Sequence, residues 1–396
     1  DNFFTQDDDR LFAIDANDPF VTNTQNFGGS LALTENSGDE TFVIAVGSST
    51  YSDTLYRQGR VQLYQFAPGK CLWEPFAAPI TGQRTEDRLG SNVALSCNAE
   101  RMAISGDIDY ESNNFRQGWV EVYERNGKGW KTMGSTILDT QSLNQPHTST
   151  DFGYRVHLNC QGNLLTVFSF TGLHVYAFDE AERTWKSSNF FEDVNRFTYA
   201  VARAADVVAL QEGNEVVVYE RAAMNERWSR RGVNNIASPV VNGIIDSVAI
   251  NNDGTRVALS VSGLEYVFTL SPDTDNTWNQ LGVEVQTLST SGIVMSGDGR
   301  TVFGADDGGI YASRPFTIRS TEDELENDAP NEQIAWLPTG GRLDLSNGAP
   351  PTDVEVSDSG SIVVLANFQT AVVEAFFFPD DMTILQRDGF DCLPNL

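Results

Sequence analysis

The sequence predicts an all-β chain: a seven-bladed β-propeller of four-stranded antiparallel blades. Three observations carry the prediction. A strand-like octet recurs seven times in 396 residues, each copy is followed by the same succession of turn and strand, and a tryptophan closes most copies. The octets are FGGSLALT from Phe27, LGSNVALS from Leu89, FGYRVHLN from Phe152, FTYAVARA from Phe197, IIDSVAIN from Ile244, TSGIVMSG from Thr290 and PPTDVEVS from Pro350. Repeats at such a period mean that one supersecondary unit is being stacked.

Within each copy the elements follow in order. The octet alternates apolar and polar residues, as a half-buried strand does. A turn comes next, written NNDG at Asn251, SGDG at Ser296 and SDSG at Ser357; Asp-Gly and Ser-Gly supply the positive φ of tight hairpins. A second strand (FVIAVG, RMAISG, RVALSV and their counterparts) leads to a third, announced by glycine in GRVQLYQF at Gly59, GWVEVYER at Gly118 and GNEVVVYER at Gly213. The fourth strand carries Trp73, Trp130, Trp185, Trp228, Trp278 or Trp336; of the seven tryptophans only Trp119 falls outside this position. The repeated tryptophans are expected to pack between neighbouring sheets.

Four short strands make a sheet with two apolar faces, and radial stacking buries both. Unit spacing runs from 45 residues (152 to 197) to 63 (89 to 152), and the longer units place excursions at SSTYSDTLYRQ, DIDYESNNFRQ and, after Ser313, RPFTIRSTEDELENDAPNEQI. The chain is expected to form a single domain with units starting near 27, 89, 152, 197, 244, 290 and 350, and a C-terminal tail over 379–396. Residues 1–26 are expected to close the ring, DRLFAID from Asp9 serving as the outermost strand of the last blade; the rival is MTILQ at Met382.

The pattern FGxSVALSxDGxxLAIG, followed by GxVxVY and a tryptophan, resembles the FG-GAP-like propeller repeats of secreted and surface proteins, integrin-type heads among them. That resemblance implies the fold and leaves the activity open. Integrin-like repeats carry calcium loops of alternating Asp or Asn, and no copy here has a full set. The nearest are SPDTDNTW, with Asp273 and Asp275, and DIDYESNN, with Asp107 and Asp109. Calcium takes six to eight oxygens, so these are weak candidates, and no other cofactor is expected.

Lys and Arg number 26 against 55 Asp and Glu, a formal charge of -29. Such a field repels phosphate backbones and anionic lipid, which argues against nucleic acid and against membrane insertion. The chain begins at Asp1, with no basic and apolar leader, and is read as an exported, extracellular or cell-surface product. Four cysteines without a CxxC predict two disulfides, with three connectivities open; Cys97 and Cys160 occupy matching turns of the second and third units, which favours a bridge stapling adjacent blades, with Cys71–Cys392 then tying down the tail, each stabilising by roughly 2–4 kcal/mol.

No GxSxG, HExxH, P-loop or dinucleotide fingerprint occurs. The three histidines, His147, His157 and His174, read as structural, and no catalytic residue is nominated. The sequence therefore points to a non-catalytic structural or binding module of a secreted or cell-surface assembly, its partners being other protein subunits, copies of itself included. A glycan-binding lectin-like propeller is the second reading, with Tyr51, Tyr56, Tyr110 and Phe115 as loop candidates, and a glycosidase-like enzyme the third.

Overall fold

The computed structural model describes residues 10–13, 26–36, 41–67, 72–110, 115–138, 151–195, 198–221, 227–271, 275–284, 292–305, 309–319, 332–338, 342–345 and 348–377. They form seven antiparallel sheets arranged as a seven-bladed β-propeller. The innermost strands are Ser30–Asn36, Asn92–Leu95, Val156–Leu158, Tyr199–Val201, Ile245–Ile250, Gly292–Met295 and Asp353–Val356. Ring closure is as expected: Arg10–Ala13 pairs antiparallel with Val372–Phe377 as the outermost strand of blade seven. Met382 lies outside the described residues.

Two predicted excursions begin and end as strand among the described residues. The second and third strands of blade two continue as a ladder out to Tyr110 opposite Phe115, and RPFTIR and EQIAWLP pair from Ser313 opposite Pro338 to Arg319 opposite Glu332. Backbone groups beyond the blade body thus find partners by lengthening the hairpin.

The strand-to-strand turn is written in side chains. Ser96, Asn159, Asn251, Ser296 and Ser357 each accept, through the side-chain oxygen, the backbone N–H five residues on, at 2.8–3.0 Å. Their own backbone N–H groups bond the carbonyl of that same residue. Short polar side chains that bond nearby backbone are what such turns select. These bonds fix the register, and they move two octets. In blade four the corresponding N–H belongs to Ala202, so the octet is NRFTYAVA from Asn195; in blade six it belongs to Ser296, so the octet is STSGIVMS from Ser289. Ala202 has no side chain to mark the turn, which hid the two-residue offset.

Each interblade gap holds its own apolar core. Leu31, Leu33 and Ile44 of blade one pack on Ile362, Val364 and Ala375 of blade seven, and Val207 and Val218 of blade four on Val257 and Leu259 of blade five. The fourth-strand tryptophans sit in these gaps as predicted. The indole N–H of Trp185, Trp278 and Trp336 donates to the carbonyls of Met133, Arg231 and Leu281 in the preceding blade, at 2.8–2.9 Å. Each such indole contributes apolar contact and one interblade hydrogen bond together.

The second residue of the octet is glycine where blades approach most closely. Gly90 has φ +90°, and a Cβ there would lie 2.7 Å from the Arg60 carbonyl oxygen and 3.0 Å from Val61. Gly90→Ala is expected to cost about 2 kcal/mol in denaturant unfolding, since steric crowding adds to left-handed strain. Gly213→Ala, at φ +65° with nothing within 4 Å of the new Cβ, should cost less.

Candidate active site in the central channel

The inner strands surround a cavity of about 440 Å³ on the propeller axis. Its wall follows from the register. Sixth-position residues of the octets are Ala32, Ala94, His157, Ala200, Ala249, Val294 and Glu355, and all seven line the cavity. Five are small or modest aliphatic side chains that leave the axis open; His157 and Glu355 are the exceptions.

Fourth-position residues do a different job. Asn92 Oδ1 accepts the N–H of Val156 in the next blade at 2.9 Å, Ser247 Oγ that of Ile293 at 3.2 Å, and Asp353 Oδ2 that of Leu31 at 2.8 Å. In these three blades an acceptor ties the inner strand to its successor. Blade three places Arg155 in this slot, and a guanidinium has no acceptor to offer. Among the described residues its guanidinium has no hydrogen bond or ion pair, and it stands exposed to the solvent of the channel with protein on every side.

The electrostatics follow from this enclosure. Burial pushes the Glu355 carboxyl up to about 8, and the Asp353 charge adds to the rise against the opposing pull of Arg155 and Arg203. Burial also raises Asp353, although Arg155 and the N–H groups of Leu31 and Val354 favour its ionised form. Asp353 and Glu355 are two residues apart on one strand, so their side chains leave the same face about 7 Å apart. Two carboxyls this close cannot both ionise cheaply, and the backbone N–H groups of Leu31 and Val354 favour the charge on Asp353. Burial, then the Arg155 charge, hold the His157 imidazole down at about 4. Around Arg155, desolvation is outweighed by Tyr199, Asp353, Tyr154 and Glu355, and the guanidinium is held in its charged form.

Two buried polar atoms on this wall lack partners: Tyr199 Oη, in a side chain only 7% exposed, and His157 Nε2. Their rings meet edge to face at 5.9 Å, and Tyr199 stacks on Phe168 at 5.2 Å, so both are held firmly. A second hollow of about 390 Å³, lined by Ser49, Ser91, Ser105, Asp151 and Tyr154 among others, adjoins the channel mouth and shares Asn92, Arg155, Thr352 and Asp353 with it.

The residues singled out from sequence lie elsewhere. Tyr51 sits beneath the Arg60 guanidinium (5.2 Å), and Tyr56 is 57% exposed with Arg57 over its ring (5.1 Å). Tyr110 and Phe115 face each other at the tip of the blade-two hairpin. Neither Tyr51 nor Tyr56 lines either hollow. Asp107 and Asp109 are ladder residues opposite Gly118 and Arg116 rather than parts of a loop, Asp275 is exposed in a turn, and Asp273 lies outside the described residues. Among the described residues no three His, Cys, Asp or Glu are grouped to hold a metal. The Cys97–Cys160 bridge is present between the turns of blades two and three; Cys71, Cys392 and His147 lie outside the described residues. His174 is satisfied by Ser169 Oγ at 2.9 Å, as a structural histidine should be.

No family model matches the chain, FG-GAP repeats included, and no curated protein matches. Solved structures share the propeller. A protein from Lactobacillus plantarum superposes with a TM-score of 0.54 at 13% identity, covering 86% of this chain and 92% of its own. A structure described as "a putative 6-phosphogluconolactonase" from Bacteroides uniformis gives 0.54 at 11%, covering 85% and 92%. Hydrazine synthase of Kuenenia stuttgartiensis gives 0.52 at 11%, covering 91% and 97%. At these identities the likeness is one of fold. It nevertheless corrects the reading of the chain as a non-catalytic structural or glycan-binding module: that reading treated a repeat-built propeller as a scaffold, and the solved propellers of this shape include proteins described as enzymes.

The raised Glu355 carboxyl has a thermodynamic signature. An unfolded Glu ionises near 4.5 and the folded one near 8, so across that window the folded state holds a proton the unfolded chain has lost, and stability falls as pH rises. Glu355→Gln is expected to gain on the wild type by at least about 1.4 kcal/mol between pH 5 and pH 8.5, read from urea unfolding at both values.

Proposed function

We propose that the protein is a hydrolase that opens small hydroxylated esters or lactones in the channel, with Glu355 as general acid, Asp353 as general base, and Arg155 as the donor to the acyl oxygen. The observation that carries the reading is the pair on one inner strand beside the Arg155 guanidinium: Asp353 and Glu355 share a face, burial raises both carboxyls, and Arg155 with two backbone N–H groups favours the ionised form at Asp353. An acid and a base can coexist in one site at one pH where their surroundings differ in this way.

In the reaction a water attacks the acyl carbon and gives its proton to Asp353. Asp353 retains lone pairs for this beyond those engaged by Leu31 and Val354. Negative charge gathers on the acyl oxygen, where the Arg155 guanidinium donates to it. The C–O bond breaks as Glu355 protonates the leaving oxygen; transfer of a proton from Asp353 to Glu355 through solvent resets the pair. One water is consumed, and a hydroxy acid, or an acid and an alcohol, is released. The lactone class is suggested by the description of the Bacteroides uniformis propeller, which shares only the fold.

A pH-stat assay over a panel of sugar-acid δ-lactones and simple acyl esters tests the reading. Turnover above the buffer rate is expected on at least one of them, falling above about pH 8 as Glu355 loses its proton. Glu355→Gln should lower kcat/KM by about 100-fold or more with the fold intact. No turnover on any panel member, or turnover that Glu355→Gln leaves unchanged, would overturn it.

A further inference from the structure

At the turn end of the channel one side chain gathers four blades. Arg203, at the start of the blade-four turn, donates from Nε to Cys97 Sγ at 2.9 Å and from its two terminal nitrogens to Asp358 Oδ1 and Thr34 Oγ1, each at 2.6 Å. These partners belong to blades two, seven and one. Thr34 Oγ1 donates onward to the Cys97 carbonyl at 2.8 Å, and Cys97 is joined to Cys160 of blade three both by the disulfide and by a backbone bond of 3.2 Å. The guanidinium side chain is only 16% exposed, and Arg203 and Glu355 line the same channel.

A guanidinium has a fixed fork of donors, so its position is set by where its acceptors stand. Two of the acceptors of Arg203 are a carboxylate and a hydroxyl; the third is a disulfide sulfur. We propose that Arg203 is a positioning residue for Glu355, held in place by the Cys97–Cys160 disulfide, so that the site responds to the redox state of that bond. The proposal rests on the assignment of Glu355 as the acid of the site. A dithiol breaks the S–S bond: two electrons and two protons pass to Cys97 and Cys160, which become thiols, and the reductant closes to its own disulfide. The blade-two turn then loses its covalent tether, the sulfur acceptor leaves its place, and Arg203 loosens.

The consequence falls on Glu355 through charge. The charged groups that bear on it are Asp353 on its own strand, Arg155 from blade three, Arg203 from blade four and Asp358 from the turn that follows. Arg203 is one of the two cations among them, and it opposes the rise that burial and the two aspartates produce. Displacing it leaves Asp358 unneutralised beside Glu355 as well, so both changes act in one direction.

The test is a carbon-13 NMR titration of the Glu355 carboxyl in the full chain, oxidised and after dithiothreitol. Reduction is expected to raise the midpoint by roughly half a unit or more. Arg203→Met should give a similar rise in the oxidised protein and no further rise on reduction, and Arg203→Lys, which keeps the charge without the fork, a smaller one. If reduction lowers the melting temperature but leaves the midpoint where it was, the disulfide is a staple only and the proposal fails. Should Arg203→Met not fold, reduction of the wild type decides alone. The titration needs no substrate, so absence of lactone turnover with the shifts intact would remove the proposed hydrolysis and leave this coupling standing.

Discussion

Everything in this molecule depends on how closely seven sheet edges can converge on one axis. The blades must approach to close their apolar gaps, yet the inner strands cannot meet without colliding. Alanine at the sixth octet position of blades one, two, four and five resolves this, letting the walls come in while leaving a hollow of about 440 Å³. A cavity on the axis is therefore a product of packing geometry, and any large or charged residue at that position in another blade necessarily projects into it.

Two further economies turn the hollow into a site. The fourth octet position, where in three blades a side-chain oxygen ties one inner strand to the next, is used by Asp353 both as a tether to Leu31 and as an ionisable wall group. The same position in blade three holds Arg155, which cannot act as a tether and is left free to interact with a ligand. A charge enclosed by protein is costly unless something compensates it. Here the compensation is mutual: Arg155 favours the ionised Asp353, and Asp353 helps keep Glu355 protonated. The chain carries a net charge of -29, yet its axis presents a cation beside a neutral acid.

The propeller was legible in the sequence because its markers are local: the octet alternation, the Asp-Gly and Ser-Gly turns, and the fourth-strand tryptophan each recur with their own physical reason. Ring closure and the Cys97–Cys160 staple were legible for the same cause. Register was less so where a marker is missing, as at Ala202. The site was not read at all, because its members are separated by some 200 residues (Arg155 to Glu355) and belong to strands that look like their siblings. A signal existed in the mismatch between copies. Arginine at 155 occupies a slot that elsewhere holds Ser, Asn, Thr, Gly or Asp, and histidine at 157 and glutamate at 355 occupy one that elsewhere holds alanine or valine. In a repeat protein the residue that breaks the repeat is the one to question. The loop aromatics Tyr51 and Tyr56, chosen for their place in a long excursion, line neither hollow.

The most direct test is whether Glu355 carries its proton at neutral pH. An infrared difference spectrum between the wild type and Glu355→Gln at pH 7, each in the absence of ligand, reads this without reference to any substrate. The account predicts a protonated-carboxyl carbonyl band in the wild type that disappears in the variant and that converts to carboxylate as the pH passes about 8. A carboxylate signal for Glu355 at pH 7, with no protonated band lost on substitution, would contradict it.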